Sequence, residues 1–199
     1  MHIHVSRSAF TPSTAYVLQS LVYENPSFIQ TLAQRPGNRY TTYDGADAAD
    51  RHVRLRKARI CRPGDQRAIY GERHQAINFP NNKPTVEVRI FRGTLNAASF
   101  FKNLEVVASL VAFVNSAGLV RARSAEAYLH FALDHKAEYP YLYEFLRRKQ
   151  AAVELSLRGV VSTADVYARH LPRPNLPMKP VPVAHAAKRR VIAFSEANC

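Results

Sequence analysis

Two pairs of residues in this chain are spaced so that a β-strand would aim both members the same way. His2 and His4 are two apart in Met1-His2-Ile3-His4-Val5. Strand side chains alternate between faces, so both imidazoles share one face, with about 7 Å between their backbones. Glu87 and Arg89 do the same in Thr85-Val86-Glu87-Val88-Arg89-Ile90-Phe91. If the two strands join one sheet with these faces aligned, two imidazoles, a carboxylate and a guanidinium meet on one surface. A carboxylate with a histidine can hold a divalent cation, and the planar fork of an arginine can clamp a phosphoryl group. Phosphoryl transfer from ATP needs this combination: a metal to bridge phosphates and cations to meet the charge in flight. Each pair also has a plainer reading, His-x-His as a solvated strand face and Glu-x-Arg as an exposed ion pair of little energetic weight.

The elements that must position these residues are legible from pattern. Residues 2–5 alternate polar and apolar and read as a short strand. Thr11-Pro12 reads as a helix N-cap with proline at the first helical position, and Tyr16, Val17, Leu21 and Val22 carry the helix to about Tyr23. A second helix is expected from Pro26 to Gln34, ended by Arg35-Pro36-Gly37-Asn38. Residues 41–73 lack periodicity and read as a long loop. Gln75 to Phe79 gives a short strand, residues 80–84 a turn, and Thr85 to Phe91 the best strand in the chain, β-branched, alternating and bounded by Gly93. Asn96 caps a helix to about Asn115, with Phe100, Leu104, Val107, Val111 and Val114 as its expected buried side. Further helices are expected at 124–135 and 140–150.

Composition bounds what such an assembly can be. The chain has 199 residues, 47% of them apolar, enough for one core. Its 28 Lys and Arg against 15 Asp and Glu give a net charge of +13, which favours anionic partners. The two cysteines, Cys61 and Cys199, can build neither a disulfide framework nor a Cys-based zinc site, which points to a reducing, cytoplasmic setting. The longest apolar run, Val106 to Val114, is interrupted by Ser109 and falls short of the roughly 20 residues a spanning helix needs, so no membrane association is expected.

Other polar residues divide less sharply. Arg51, Arg54, Arg56, Lys57, Arg59 and Arg62 form the densest basic stretch, and Lys188-Arg189-Arg190 a second cluster. Each could be a solvated surface or an anion-binding one. Asp44, Asp47 and Asp50 read as loop residues, Cys61 as inert, and Tyr139, Tyr141, Tyr143 and Phe145 as helix-packing aromatics. Past Leu171, five of the twelve prolines fall within eleven residues, so 172–199 is expected to be a disordered basic tail.

Taken in order, Met1-His2-Ile3-His4-Val5-Ser6-Arg7, a helix, Asn78, Thr85-Val86-Glu87-Val88-Arg89-Ile90-Phe91-Arg92-Gly93-Thr94-Leu95-Asn96 and a long apolar helix form a pattern that resembles the amidoligase family. That family, carried by phages and bacteria, belongs to the superfamily of carboxylate–amine ligases that includes glutamine synthetase and glutamate–cysteine ligase. The likeness covers roughly residues 1–148, and Phe91-Arg92-Gly93-Thr94-Leu95 is its most specific part. It implies that His2 and Glu87 hold Mg2+ or Mn2+, that His4 meets the phosphates of ATP, and that Arg89 contacts both nucleotide and transferred phosphoryl group. Arg92 is a further catalytic candidate, but its opposite strand parity turns it toward the site only if the strand twists or bulges. Arg39, Arg73 and Asn78 are candidates for the pocket's surroundings. The implied reaction joins a small-molecule or peptide carboxylate to an amine through an acyl phosphate.

In that superfamily, strands ahead of the His-x-His strand supply further acidic ligands, usually as Glu-x-Glu. This chain begins at the His-x-His strand, so a missing or separately encoded N-terminal half, or a degenerate remnant, is part of the expectation. The expected fold is α+β: a small antiparallel sheet with a concave active face, its other face covered by the helices at 11–23 and 96–116. The expected division is a catalytic domain over 1–150, a helical extension over 151–171 and the tail. The competing readings are a basic protein that grips nucleic acid through 51–62 and the tail, and an inactive scaffold.

Overall fold

The computed structural model describes residues 1–37, 41, 43, 75–78 and 83–160. Expectations for the loop at 44–73, the basic stretch at 51–62, Arg39, Arg73, both cysteines, the cluster at 188–190 and the tail lie outside these residues. Within them the fold is α+β, a three-stranded antiparallel sheet with six α-helices. The strands are β1 (Ile3–Ser6), β2 (Ile77–Asn78) and β3 (Thr85–Val88), in the order β1-β3-β2. The helices are α1 (Pro12–Glu24), α2 (Pro26–Ala33), α3 (Ala97–Ser116), α4 (Ala125–Asp134), α5 (Pro140–Arg148) and α6 (Gln150–Leu157).

Register gives the sheet two unlike faces. Ile3 lies opposite Val88 and Val88 opposite Ile77, while Val5 lies opposite Val86. All five are buried in the core shared with the helices. The alternate positions carry His4, Ser6, Thr85, Glu87 and Asn78 on the other face. A shift of one residue in any strand would exchange the two sets, so the apolar alternation fixes which side chains the polar face receives.

Local chemistry sets the helix ends. The side chain of Thr11 accepts a hydrogen bond from the backbone of Thr14, and that of Thr14 accepts one from the backbone of Thr11, a reciprocal cap at the start of α1. Asn96 and Ser124 cap α3 and α4 through the backbone N–H groups of Ser99 and Ala127. At the end of α2, Gln34 takes the left-handed conformation with φ 52° that a helix stop favours. Gly159, with φ 82°, does the same after α6.

Helix α3 is the central helix, and it buries Val107 and Val114 as expected but not Phe100, Leu104 and Val111. Lys102, Asn103, Val106, Val107, Ser109, Leu110, Phe113 and Val114 are buried, whereas Phe100 is exposed and Leu104 and Val111 only half-buried. The expected stripe allowed no polar residue on the core side, yet Lys102, Asn103 and Ser109 all find places there. The same helix corrects the membrane argument. Although no uninterrupted run is long enough, its 20 residues have a mean hydropathy of 1.5 over the best window, long and apolar enough by composition to cross a bilayer. Here it packs against α1, α4 and α5 as a core helix.

Two of the polar members of that face have strong partners, whereas Asn103 reaches only Met1 Sδ, at 3.8 Å, and leaves its buried Oδ1 without a hydrogen bond. Ser109 Oγ and Tyr128 Oη lie 2.7 Å apart with both residues fully buried. Ser109→Ala should therefore cost about 1–3 kcal/mol, because the tyrosine hydroxyl stays buried without that partner. Adding Tyr128→Phe should recover part of the loss, which denaturant titration of the double-mutant cycle would show. Lys102, only 1% exposed, donates from Nζ to the backbone oxygen of Leu32 in the last turn of α2 at 2.6 Å. Its ammonium also stands over the rings of Phe145 and Phe91, 4.8 and 5.7 Å from their centroids. Glu105 accepts the N–H of Leu142 at 2.7 Å and so caps α5 from another helix.

The candidate active face

The middle row of the polar face runs across all three strands. His4 on β1 lies opposite Glu87 on β3, and Glu87 lies opposite Asn78 on β2. The side chains follow the register. Asn78 Nδ2 donates to Glu87 Oε2 at 3.0 Å, and Arg89 donates to the same oxygen from Nε at 2.9 Å and Nη2 at 2.5 Å. The other oxygen, Oε1, is more loosely held, by Lys83 Nζ at 3.5 Å and His4 Nε2 at 4.0 Å. His4 is oriented through Nδ1, which lies 3.1 Å from Thr85 Oγ1.

Burial of Glu87 favours its neutral form, but the hydrogen bonds from Arg89 and Asn78, together with the charges of Arg89 and His4, outweigh it and hold the carboxyl at about 2. It is a fixed negative charge across the physiological range. Opposed to it are the cations of Arg89 and Lys83, leaving a surplus of positive charge on the polar face. His2 precedes the ladder and keeps an exposed edge. Partial burial, and then the neighbouring Arg89 guanidinium, lower its imidazole to about 4, so it is neutral at pH 7.

The backbone beneath Arg89 is anchored. The ladder ends at Val88 rather than Phe91, three residues short of the expected strand, yet Arg89 N–H still donates to the oxygen of Ala76 at 2.8 Å. The Arg89 carbonyl accepts from Thr41 Oγ1 at 3.1 Å and Arg35 Nη1 at 3.3 Å, and the same Arg35 nitrogen reaches the Phe91 carbonyl at 3.1 Å. Phe91 turns into the core and Arg92 is exposed.

Comparison with protein families, curated proteins and solved structures finds no match. The reading of this face therefore rests on its own chemistry.

Of the residues singled out from sequence, the structure gathers His4, Glu87, Arg89 and Asn78, with His2 beside Arg89 at the margin of the group. It brings His4, rather than His2, alongside Glu87, and it leaves Arg92 on the irregular segment beyond the strand. Sequence reasoning missed Thr85, Lys83, Thr41 and Arg35. Thr85 could have been found, since it is two residues from Glu87 on the same strand and must share its face. The other three lie on turns or irregular segments that no periodicity marks.

Among the described residues no three or more His, Cys, Asp or Glu side chains are grouped to hold a metal. Glu87 Oε1 and His4 Nε2 offer two donors at 4.0 Å, somewhat wider than the roughly 3 Å separating adjacent ligands whose bonds to Mg2+ are 2.0–2.1 Å long. Magnesium is commonly held by one or two protein ligands with substrate phosphates and water completing the shell. Two protein donors could hold a cation only with ligands from elsewhere completing its shell.

Proposed function

We propose that the polar sheet face binds ATP together with Mg2+ or Mn2+ and serves a carboxylate–amine ligase reaction of the amidoligase type. The observation that carries this reading is the aligned row His4–Glu87–Asn78 with Arg89 beside it, one ionised carboxylate ringed by cationic and hydrogen-bonding groups on an otherwise polar face. In such a reaction a substrate carboxylate oxygen attacks the terminal phosphorus of ATP and ADP leaves. An amine then attacks the acyl carbon of the resulting acyl phosphate, inorganic phosphate leaves with the electron pair of the broken C–O bond, and the nitrogen gives up a proton. The metal, when bound, offsets phosphate charge. Glu87 and His4 would hold it, His2 and Lys83 would meet phosphate oxygens, and Arg89 would have the larger part. Its guanidinium, which donates from Nε and Nη2 to Glu87 Oε2 in this structure, would present part of its planar fork to the phosphoryl group. Substrates would be a small-molecule or peptide carboxylate and an amine, and the compartment cytoplasmic, where ATP is abundant. Arg92, exposed beyond the strand, is the weakest of the proposed catalytic residues.

Two substitutions test this reading. Glu87→Gln removes the charge that holds the cation and should weaken Mg2+-dependent ATP binding about tenfold or more, while leaving metal-free binding nearly unchanged. Arg89→Lys keeps the charge but loses the fork, so ligase turnover should fall roughly a hundredfold, on the order of 3 kcal/mol, with a smaller change in ATP affinity. Calorimetric titration with and without Mg2+, and ADP release with pooled amino acids and peptides, would measure both. Unchanged binding in Glu87→Gln and undiminished turnover in Arg89→Lys would remove the site from this strand.

A further inference from the structure

Lys102 is the only buried cation among the described residues, and it stands where two parts of the fold meet. On one side its Nζ donates to the backbone oxygen of Leu32, in the last turn of α2, at 2.6 Å. On the other it lies over the Phe91 ring, 5.7 Å from the centroid, and over that of Phe145 on α5, at 4.8 Å. Arg35, just past the end of α2, closes the circuit. Its backbone N–H donates to the oxygen of Gln30 at 3.2 Å, while its Nη1 reaches the carbonyls of Phe91 and Arg89. The end of α2 and the segment carrying Arg89 are thus tied twice, through Lys102 and through Arg35. An ammonium suits both of its neighbours, the negative end of a helix and the face of an aromatic ring. Both attractions weaken when the proton leaves.

Among the described residues no carboxylate is paired with this ammonium. Helix α2 carries no charged residue, Arg35 faces the two carbonyls, Arg89 is turned to Glu87, and Arg92 is exposed. On α5, Glu144 pairs with Arg147 and Arg148, Tyr141 stacks on Phe101, and Tyr143 meets Lys136. On α1, Glu24 and Tyr16 face Arg123, and Tyr23 is bonded to the backbone of Ile77. On α4, Tyr128 is bonded to Ser109, while Glu126, His130 and Asp134 are exposed. Two further groups titrate nearby. The Met1 ammonium, lowered by burial, donates to the Phe91 oxygen at 3.4 Å. Glu105, one turn along α3, is raised by burial to about 7 and accepts from Leu142. A buried ammonium among neutral partners gives up its proton more readily than one in water, and burial brings Lys102 to about 7.

We propose that Lys102 is a positioning residue for Arg89: its ammonium holds the end of α2 and the Phe91 ring together, keeping Arg35 on the carbonyls beneath Arg89, and loss of its proton loosens that hold. That the hold would tune phosphate binding rests on the function proposed above; the hold itself does not, and its test needs no nucleotide. The full chain is titrated from about pH 6 to about pH 9, with NMR following Lys102 Cε, the Phe91 ring and the guanidinium carbons of Arg35 and Arg89. The Phe91, Arg35 and Arg89 signals should move along the Lys102 curve with its midpoint. In Lys102→Met that movement should be lost, with the signals resting near their wild-type positions at high pH. Glu105→Gln, which removes the other titrating group of α3, should leave the movement in place. Signals that follow Lys102 in a protein that fails to bind ATP with Mg2+ would uphold the positioning and remove the nucleotide site. Arg35 and Arg89 signals that stay still while Lys102 titrates overturn the proposal. So do signals that move equally in Lys102→Met, a movement lost in Glu105→Gln, and a Lys102 that keeps its proton throughout.

Discussion

Replacing Arg89 with Met is expected to destabilise the protein by about 3–5 kcal/mol at pH 7, the loss typical when one partner of a buried ion pair is removed. Glu87 is 4% exposed and takes two of its hydrogen bonds from that guanidinium. Without them a buried carboxylate keeps only Asn78 and the looser contacts of Lys83 and His4. Glu87→Gln in the same background should restore much of the loss, because the buried charge goes as well. The pH dependence follows from the same pair. The carboxyl of Glu87 is lowered from its ordinary 4.5 to about 2, so its ionised form is favoured by folding. That stability is fully present above pH 4.5 and is lost as pH falls toward and through 2, on the order of 3 kcal/mol in all. Denaturant titrations across this range should show the wild type losing more than Glu87→Gln. An Arg89→Met cost below about 1 kcal/mol would restore the plainer reading of Glu-x-Arg as an exposed ion pair.

Lys102→Met should act in the opposite direction and stabilise the protein by about 1–4 kcal/mol near pH 6. Burial lowers the Lys102 ammonium from 10.5 to about 7, with one backbone oxygen and two aromatic faces as its described contacts. Because the folded value lies below the unfolded one, the unfolded chain binds more protons between pH 7 and 10.5, and wild-type stability rises with pH across that window. Methionine has similar length, fills the same space and carries no charge to desolvate. Its advantage should therefore be greatest at pH 7 and below and shrink toward pH 10.5, offset throughout by loss of the bond to Leu32. Melting temperatures of both proteins at several pH values measure this. An advantage that does not change with pH, or a destabilised variant at pH 6, would show that the ammonium is better accommodated than its surroundings indicate.

How much of this could be read from sequence depended on whether an element's pattern was local. The strand at Glu87 and the strand at His4 were legible because alternation declares which side chains share a face, and the pairing of those faces followed from burying Val86, Val88, Ile3 and Val5 together. The caps at Thr11, Asn96 and Ser124 were legible for the same local reason. The buried side of α3 was legible only at Val107 and Val114. Its apolar residues nearly encircle the helix, so the choice of side fell to partners from α1, α4 and α5 and to the hydrogen bonds that made Lys102 and Ser109 tolerable inside. Which histidine meets Glu87 was also hidden, since register between strands 80 residues apart in sequence is set by tertiary pairing. Lys83, Thr41 and Arg35 reach the site from segments with no periodicity to read.

The most direct test of the proposed nucleotide site is an NMR titration of the full chain with Mg2+ and ATP, following the side-chain signals of Arg89 Nε, Asn78 Nδ2 and the His4 ring. Arg89 Nε and Asn78 both donate to Glu87 Oε2 in the resting structure, so a cation arriving at Glu87 and a phosphate arriving at Arg89 must disturb all three groups. If the proposed site is right, the three shift together along one binding curve, and Glu87→Gln abolishes the Mg2+-dependent part. Saturating ATP binding that leaves the Arg89 and His4 signals unmoved would contradict it.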